Sequence, residues 1–154
     1  MAHHYTATVA WARRDGDDFA KGRYGRDHEW RFDGGITVPA SASPAVVPGA
    51  YVGAATVDPE EAFIASIASC HMLTFLDLAR RAGFVIDAYD DAATGEMAKT
   101  PEGRYWVSTV TLHPKIVWLD KEPGHDELEK LHHQAHDLCF IANSVKTEVT
   151  VEGF

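Results

Sequence analysis

The segment from residue 58 to residue 83 constrains this chain most. Asp58 is a good N-cap, Pro59 suits the first helical position, and Glu61 stands where a capping box places its carboxylate. From Ala62 to Ala79 the residues are apolar on nearly every face, and Gly83 is a natural terminator. A continuous helix here would be roughly 36 Å long at about 1.5 Å per residue. A helix with so little polar surface is a buried central helix, and the rest of the chain must supply what covers it.

The remaining segments read mostly as strands. Tyr5 to Arg14 alternates in the manner of a half-buried strand, Asp15-Gly16-Asp17-Asp18 reads as a turn, and Gly22 to Phe32 as a second strand closing a hairpin. Residues 39–50, with Pro39, Pro44, Pro48 and Gly49, suit an irregular surface loop. Strands are expected at about 85–98 and 104–119, with a turn at Thr100-Pro101-Glu102-Gly103 and a kink at Pro114. Pro123-Gly124 opens a second helix whose apolar stripe runs through Leu128, Leu131, Ala135, Leu138 and Ala142, with His132 and Cys139 at its edge. Val145, Thr147, Val149 and Val151 alternate with Lys146, Glu148, Thr150 and Glu152 in a closing strand. Strands and helices mixed without regular βα alternation predict an α+β fold, and 154 residues suit a single domain spanning 1–154.

A formal net charge of −9 argues against nucleic acid and against an anionic membrane surface. No stretch reads as a membrane span, and Met1-Ala2-His3-His4-Tyr5 lacks the basic and apolar regions of a secretory signal. With two cysteines and no export signal, a disulfide framework is not expected, and a cytoplasmic location is.

Those two cysteines, Cys70 and Cys139, carry most of the chemical information. Each lies in an apolar, helical context with a histidine nearby. A buried free cysteine is often a small packing residue. As chemistry, one thiolate would attack, and a second thiol would condense with the resulting sulfenic acid. His71 follows Cys70 directly, but successive helical residues point about 100° apart, which turns His71 away from that thiol. A rival reading groups His132, His136 and Cys139 on one helical face, with Cys70 as a fourth ligand of a tetrahedral zinc site. Glu60 and Glu61 complement the helix dipole with no further role required.

Two segments add a family resemblance. Asp58-Pro59-Glu60-Glu61 through Ala68-Ser69-Cys70 resembles a signature of the OsmC/Ohr family, the osmotically inducible and organic hydroperoxide resistance proteins. Cys139-Phe140-Ile141-Ala142-Asn143-Ser144 is similar to that family's second-cysteine segment. The resemblance implies an OsmC-like fold, with two antiparallel-rich sheets around two central helices, in an intertwined homodimer with active sites at the subunit interface. It implies thiol-dependent reduction of organic hydroperoxides in oxidative-stress defence, without a cofactor or metal. By position, Cys70 corresponds to the peroxidatic thiol, Cys139 to the resolving thiol, and Glu60 to the carboxylate that positions an arginine. A dithiol, typically the lipoyl group of a lipoylated protein, would reduce the disulfide.

The arginine has two counterparts, Arg14 in Arg14-Asp15-Gly16 and Arg26 in Gly25-Arg26-Asp27-His28. The chain departs from the family pattern at Phe140, where proline is usual, and at His71, where an apolar residue is usual; it resembles a divergent branch. These departures motivate an alternative, a non-catalytic OsmC-fold protein that binds a small ligand or senses redox state. Glu60 and Cys70, ten positions apart on one helix, would be about 15 Å apart, so a shared site calls for a second subunit.

Overall fold

The computed structural model describes residues 2–154, which divide into two compact units, 2–62 and 63–154. The fold is α+β, as the sequence predicts, with two α-helices and mostly antiparallel sheets.

The first unit holds one antiparallel sheet in the order β1 (Ala7–Ala10), β2 (His28–Phe32), β3 (Thr37–Ala40). β1 and β2 pair as expected, with Val9 opposite Trp30, but β2 begins at His28 rather than Gly22. Residues between the strands instead build a knot of rings, Trp11, Phe19 and Tyr24, fastened where the Trp11 indole N–H donates to the Gly25 carbonyl at 2.9 Å. β3 takes in Pro39, part of the segment expected to be loop. Proline is tolerated there because β3 is the edge strand of its sheet. On its other side, Pro39 accepts a bond from the Val57 N–H at 3.0 Å.

Helix α1 (Pro59–Arg81) starts as its sequence dictates. The Asp58 carboxylate accepts from the Glu61 N–H at 2.8 Å, and the Glu61 carboxylate accepts from the Asp58 N–H at 3.2 Å, a reciprocal capping box. Its end is equally determined. Gly83, at φ +83°, donates to the Arg80 carbonyl, and Phe84 donates to the Ala79 carbonyl, each at 3.0 Å. This is a Schellman ending, which needs the left-handed conformation that glycine adopts freely.

The second unit has two sheets. β4 (Val85–Asp91) pairs antiparallel with β7 (Pro114–Leu119), and β5 (Thr94–Lys99) with β6 (Tyr105–Leu112). The closing strand β8 (Glu148–Val151) runs parallel to β6. Two expected strands are thus four, because the chain breaks at Ala92–Ala93 and at His113. Helix α2 (His125–Leu138) stops four residues short of the expected stripe, leaving Leu138 exposed and Cys139 at the C-cap.

Every fourth residue along one edge of α1 is buried: Ile67, His71, Phe75 and Ala79. Phe75 and Ala79 join Phe84, Leu131 and Ala135 in a core against β4 and β7, while Ile67 joins Val110 and Leu112 against the other sheet. Gly95 permits the second contact, since a Cβ there would fall 2.5 Å from the Ile64 Cδ1 atom. Against expectation, α1 is by length and composition apolar enough to cross a bilayer, yet only 22% of its most apolar stretch is buried. Leu73 is 62% exposed.

Candidate thiol site

Cys70 sits midway along α1 and is half-buried; Cys139 caps α2 and is buried. Both thiols are free, and Cys70 lies near enough to Cys139 to bear on its ionisation. Burial, and then the Cys70 thiol beside it, push the Cys139 thiol up from its ordinary value. Cys139 is therefore held as a neutral thiol, the less nucleophilic form.

The segment after α2 is built around this sulfur. The Ala142 N–H donates to the Cys139 Sγ at 3.4 Å, and the Asn143 N–H to the Cys139 carbonyl at 3.0 Å. The Asn143 side-chain amide donates to the Asp137 carbonyl at 2.8 Å and the Cys139 carbonyl at 3.1 Å. Asparagine at this spacing clamps the turn that carries the thiol. Phe140, where the family pattern has proline, points outward and is 81% exposed.

The other expected site residues lie in the first unit. Glu60 is half-buried in the first turn of α1 and makes no ion pair among the described residues. Arg14 is engaged with Asp27. The Arg26 guanidinium lies 3.4 Å from the centre of the Tyr24 ring, near Tyr51 as well, and donates to the Tyr24 carbonyl. Phe75 is fully buried in the core, and Phe63 borders a shallow cleft with Trp106 and Val145.

The zinc reading finds no support. Among the described residues no three His, Cys, Asp or Glu side chains gather to hold a metal. His132, expected at the edge of the apolar stripe, is buried, and its Nδ1 is bonded at 3.0 Å to His71 Nε2. The two imidazoles are stacked within 8° of parallel, and Phe75 stacks on His132 at 4.2 Å. Sequence reasoning missed this pair. The signal was present in the spacing, because His71 falls in the four-residue series with Ile67 and Phe75. Burial pushes His71 down to about 4, with His136 adding to the effect, and burial and His71 push His132 down to about 3. Both rings are neutral at ordinary pH.

The comparisons agree with this architecture. No curated protein sequence matches the chain. The fold of an OsmC-like protein of unknown function from Vibrio cholerae superposes with a TM-score of 0.94 at 45% identity, covering 98% of this chain and 99% of that one. An organic hydroperoxide resistance protein from Legionella pneumophila shares the fold at 22% identity and TM-score 0.66, covering 99% and 100% of the two chains. The organic hydroperoxide resistance protein OhrB of Bacillus subtilis does so at 20% and 0.65, covering 96% and 97%. The sequence model described as OsmC-like protein matches residues 53–153, a stretch that contains both cysteines and the capping box of α1, and the chain belongs to that family.

Proposed function

We propose that this protein is a two-cysteine peroxidase that reduces organic hydroperoxides to alcohols in the cytoplasm, as a homodimer. The observation that carries the reading is the proximity of two free thiols, one half-open and one buried. The Cys70 thiolate attacks the terminal peroxide oxygen. The O–O bond breaks, its electron pair leaves with the alkoxide, and the alkoxide takes a proton to become the alcohol. Cys70 is now a sulfenic acid, and the Cys139 sulfur attacks it, forming the disulfide and releasing water. A dithiol, such as a lipoyl group, then exchanges through a mixed disulfide and restores both thiols while becoming a cyclic disulfide.

The apolar side of α1 left uncovered by its own chain supports the dimer. In that dimer, Glu60 and either Arg14 or Arg26 of one subunit serve the Cys70 of the other, which removes the separation along a single helix. The guanidinium stabilises the thiolate and orients the peroxide, and Glu60 holds the guanidinium.

Stopped-flow consumption of cumene hydroperoxide by the reduced protein tests the reading. Wild type should consume peroxide and yield a Cys70–Cys139 disulfide visible by mass spectrometry. The Cys139→Ser variant should consume one equivalent and stop at the sulfenic acid. A Cys70→Ser variant as active as wild type overturns the proposal. Peroxide left untouched by the wild type favours the ligand-binding or redox-sensing alternative.

A further inference from the structure

Two arginines compete for the thiol site, and the fold sets them in opposite electrostatic surroundings. Arg14 is ion-paired with Asp27, and Arg31 with Glu29. All four line one recess of about 500 Å³, so each positive charge there is matched by a carboxylate. Arg26 makes no ion pair among the described residues. It lines a different recess, of about 370 Å³, whose other walls are Val9, Trp11, Phe19, Tyr24 and His28, with no carboxylate among them.

The Arg26 charge is also held in place. Its Cζ atom lies 3.4 Å from the centre of the Tyr24 ring, too close to be anywhere but over the ring face. Its main-chain N–H donates to the Tyr51 carbonyl at 2.9 Å, and its carbonyl accepts from His28 Nδ1 at 2.8 Å. The proton's place on that imidazole is fixed. The Trp30 indole N–H can only donate, and it does so to His28 Nε2 at 3.0 Å, so Nε2 is the bare nitrogen and Nδ1 carries the hydrogen. Trp30 itself is anchored in the middle strand of its sheet, between Val9 and Val38. A line of hydrogen bonds thus runs from the sheet through Trp30 and His28 to the backbone of Arg26. The guanidinium spends at most two of its five N–H groups, on the Tyr24 and Gly22 carbonyls, and keeps three.

Building on the peroxidase reading, in which an arginine of one subunit serves the thiol of the other, we propose that Arg26, and not Arg14, supplies the positive charge beside Cys70, and that His28 is the positioning residue that holds it there. Stabilising a thiolate takes a net positive field, and a guanidinium cancelled by its own carboxylate supplies little. Glu60 likewise makes no ion pair among the described residues, so it is free to take a guanidinium in the assembled dimer, and Arg26 is the one not already taken. Three remaining N–H groups serve a carboxylate at two points and a peroxide oxygen at the third.

The test follows alkylation of Cys70 by iodoacetamide at pH 7, read by peptide mass spectrometry, beside consumption of cumene hydroperoxide. Arg26→Gln should slow alkylation about tenfold or more, the worth of one opposite charge beside a thiolate, and Arg14→Gln about threefold at most. Arg26→Lys, which keeps the charge and loses the planar fork, should alkylate within about threefold of wild type yet consume peroxide about tenfold more slowly. His28→Phe, which removes the donor to the Arg26 carbonyl, should slow alkylation about threefold to tenfold. His28→Asn, whose amide N–H falls near the place of Nδ1, should restore most of that rate. Arg14→Gln slowing alkylation as much as Arg26→Gln overturns the choice of arginine, and so does Arg26→Lys consuming peroxide at the wild-type rate. Equal alkylation of His28→Phe and wild type, or no rescue by His28→Asn, overturns the positioning role. Alkylation needs no turnover, so it ranks the arginines separately from the result that defeats the peroxidase reading, peroxide left untouched by the wild type.

Discussion

Cys70 and His71 are neighbours on one helix, yet they live in different physical worlds. Cys70 is half-open, and the thiol beside it is held by a short clamped turn. His71 is sealed in the core, fixed by a second imidazole and by Phe75. The 100° step between consecutive helical residues allows both, and it divides α1 into a chemical edge and a structural edge. The family pattern favours an apolar residue where His71 stands; this chain keeps the packing and adds a polar contact inside it.

Removing the sulfur from the chemical edge should have the largest effect. Cys70→Ser should lower peroxide consumption to the uncatalysed background in the stopped-flow assay while leaving the melting temperature nearly unchanged. The structural edge should respond the other way. Phe75→Ala removes a ring packed on His132, Tyr89 and Trp118, and should cost about 3–5 kcal/mol in urea unfolding. Similar stability losses from both variants would erase the distinction.

Next in size is oxidation. A Cys70–Cys139 bond would close a loop 69 residues long, and chain entropy predicts about 4 kcal/mol of stabilisation. Differential scanning calorimetry of reduced and peroxide-treated protein should show the oxidised form melting higher.

The imidazole pair supplies a pH test. Both folded values, about 4 and about 3, lie below the ordinary 6.5, so on acidification the unfolded chain takes up protons first. The pair's contribution is complete above about pH 6.5 and is lost as the pH falls towards the folded values. Urea midpoints should decline over that window, and the double variant His71→Leu/His132→Leu should decline less steeply. Asn143→Ala should have the smallest effect, about 1 kcal/mol, for the loss of bonds to the Asp137 and Cys139 carbonyls. Slower disulfide closure after a peroxide pulse would show that this clamp serves the thiol edge.

The sequence disclosed some of this and hid the rest for physical reasons. Both ends of α1 were legible because Asp58, Pro59, Glu61 and Gly83 act locally, within four residues of the groups they satisfy. β3 was not, because Pro39 reads as a breaker until the strand is known to be an edge. The break at Ala92–Ala93 carries no glycine or proline, and the one at His113 shows only as the kink expected at Pro114, so four strands read as two. The approach of Cys139 to Cys70 depends on packing across many residues, and only the family resemblance pointed to it. His71 and His132 were read by polarity, and polarity conceals a histidine that spends its hydrogen bond on another histidine.

The parallel pairing of β6 with β8 has a consequence for how the molecule is made. Antiparallel neighbours can zip up from a tight turn, but these two strands are joined by a crossover that includes β7, α2 and Cys139. Loop-closure entropy delays such a contact, so this sheet is completed only when the last residues of the segment are available. On a chain emerging from the ribosome, Cys70 is synthesised 69 residues before Cys139. The nascent protein therefore carries a lone thiol until Cys139 has been made, and its exposure to oxidants in that interval is governed by the speed of synthesis.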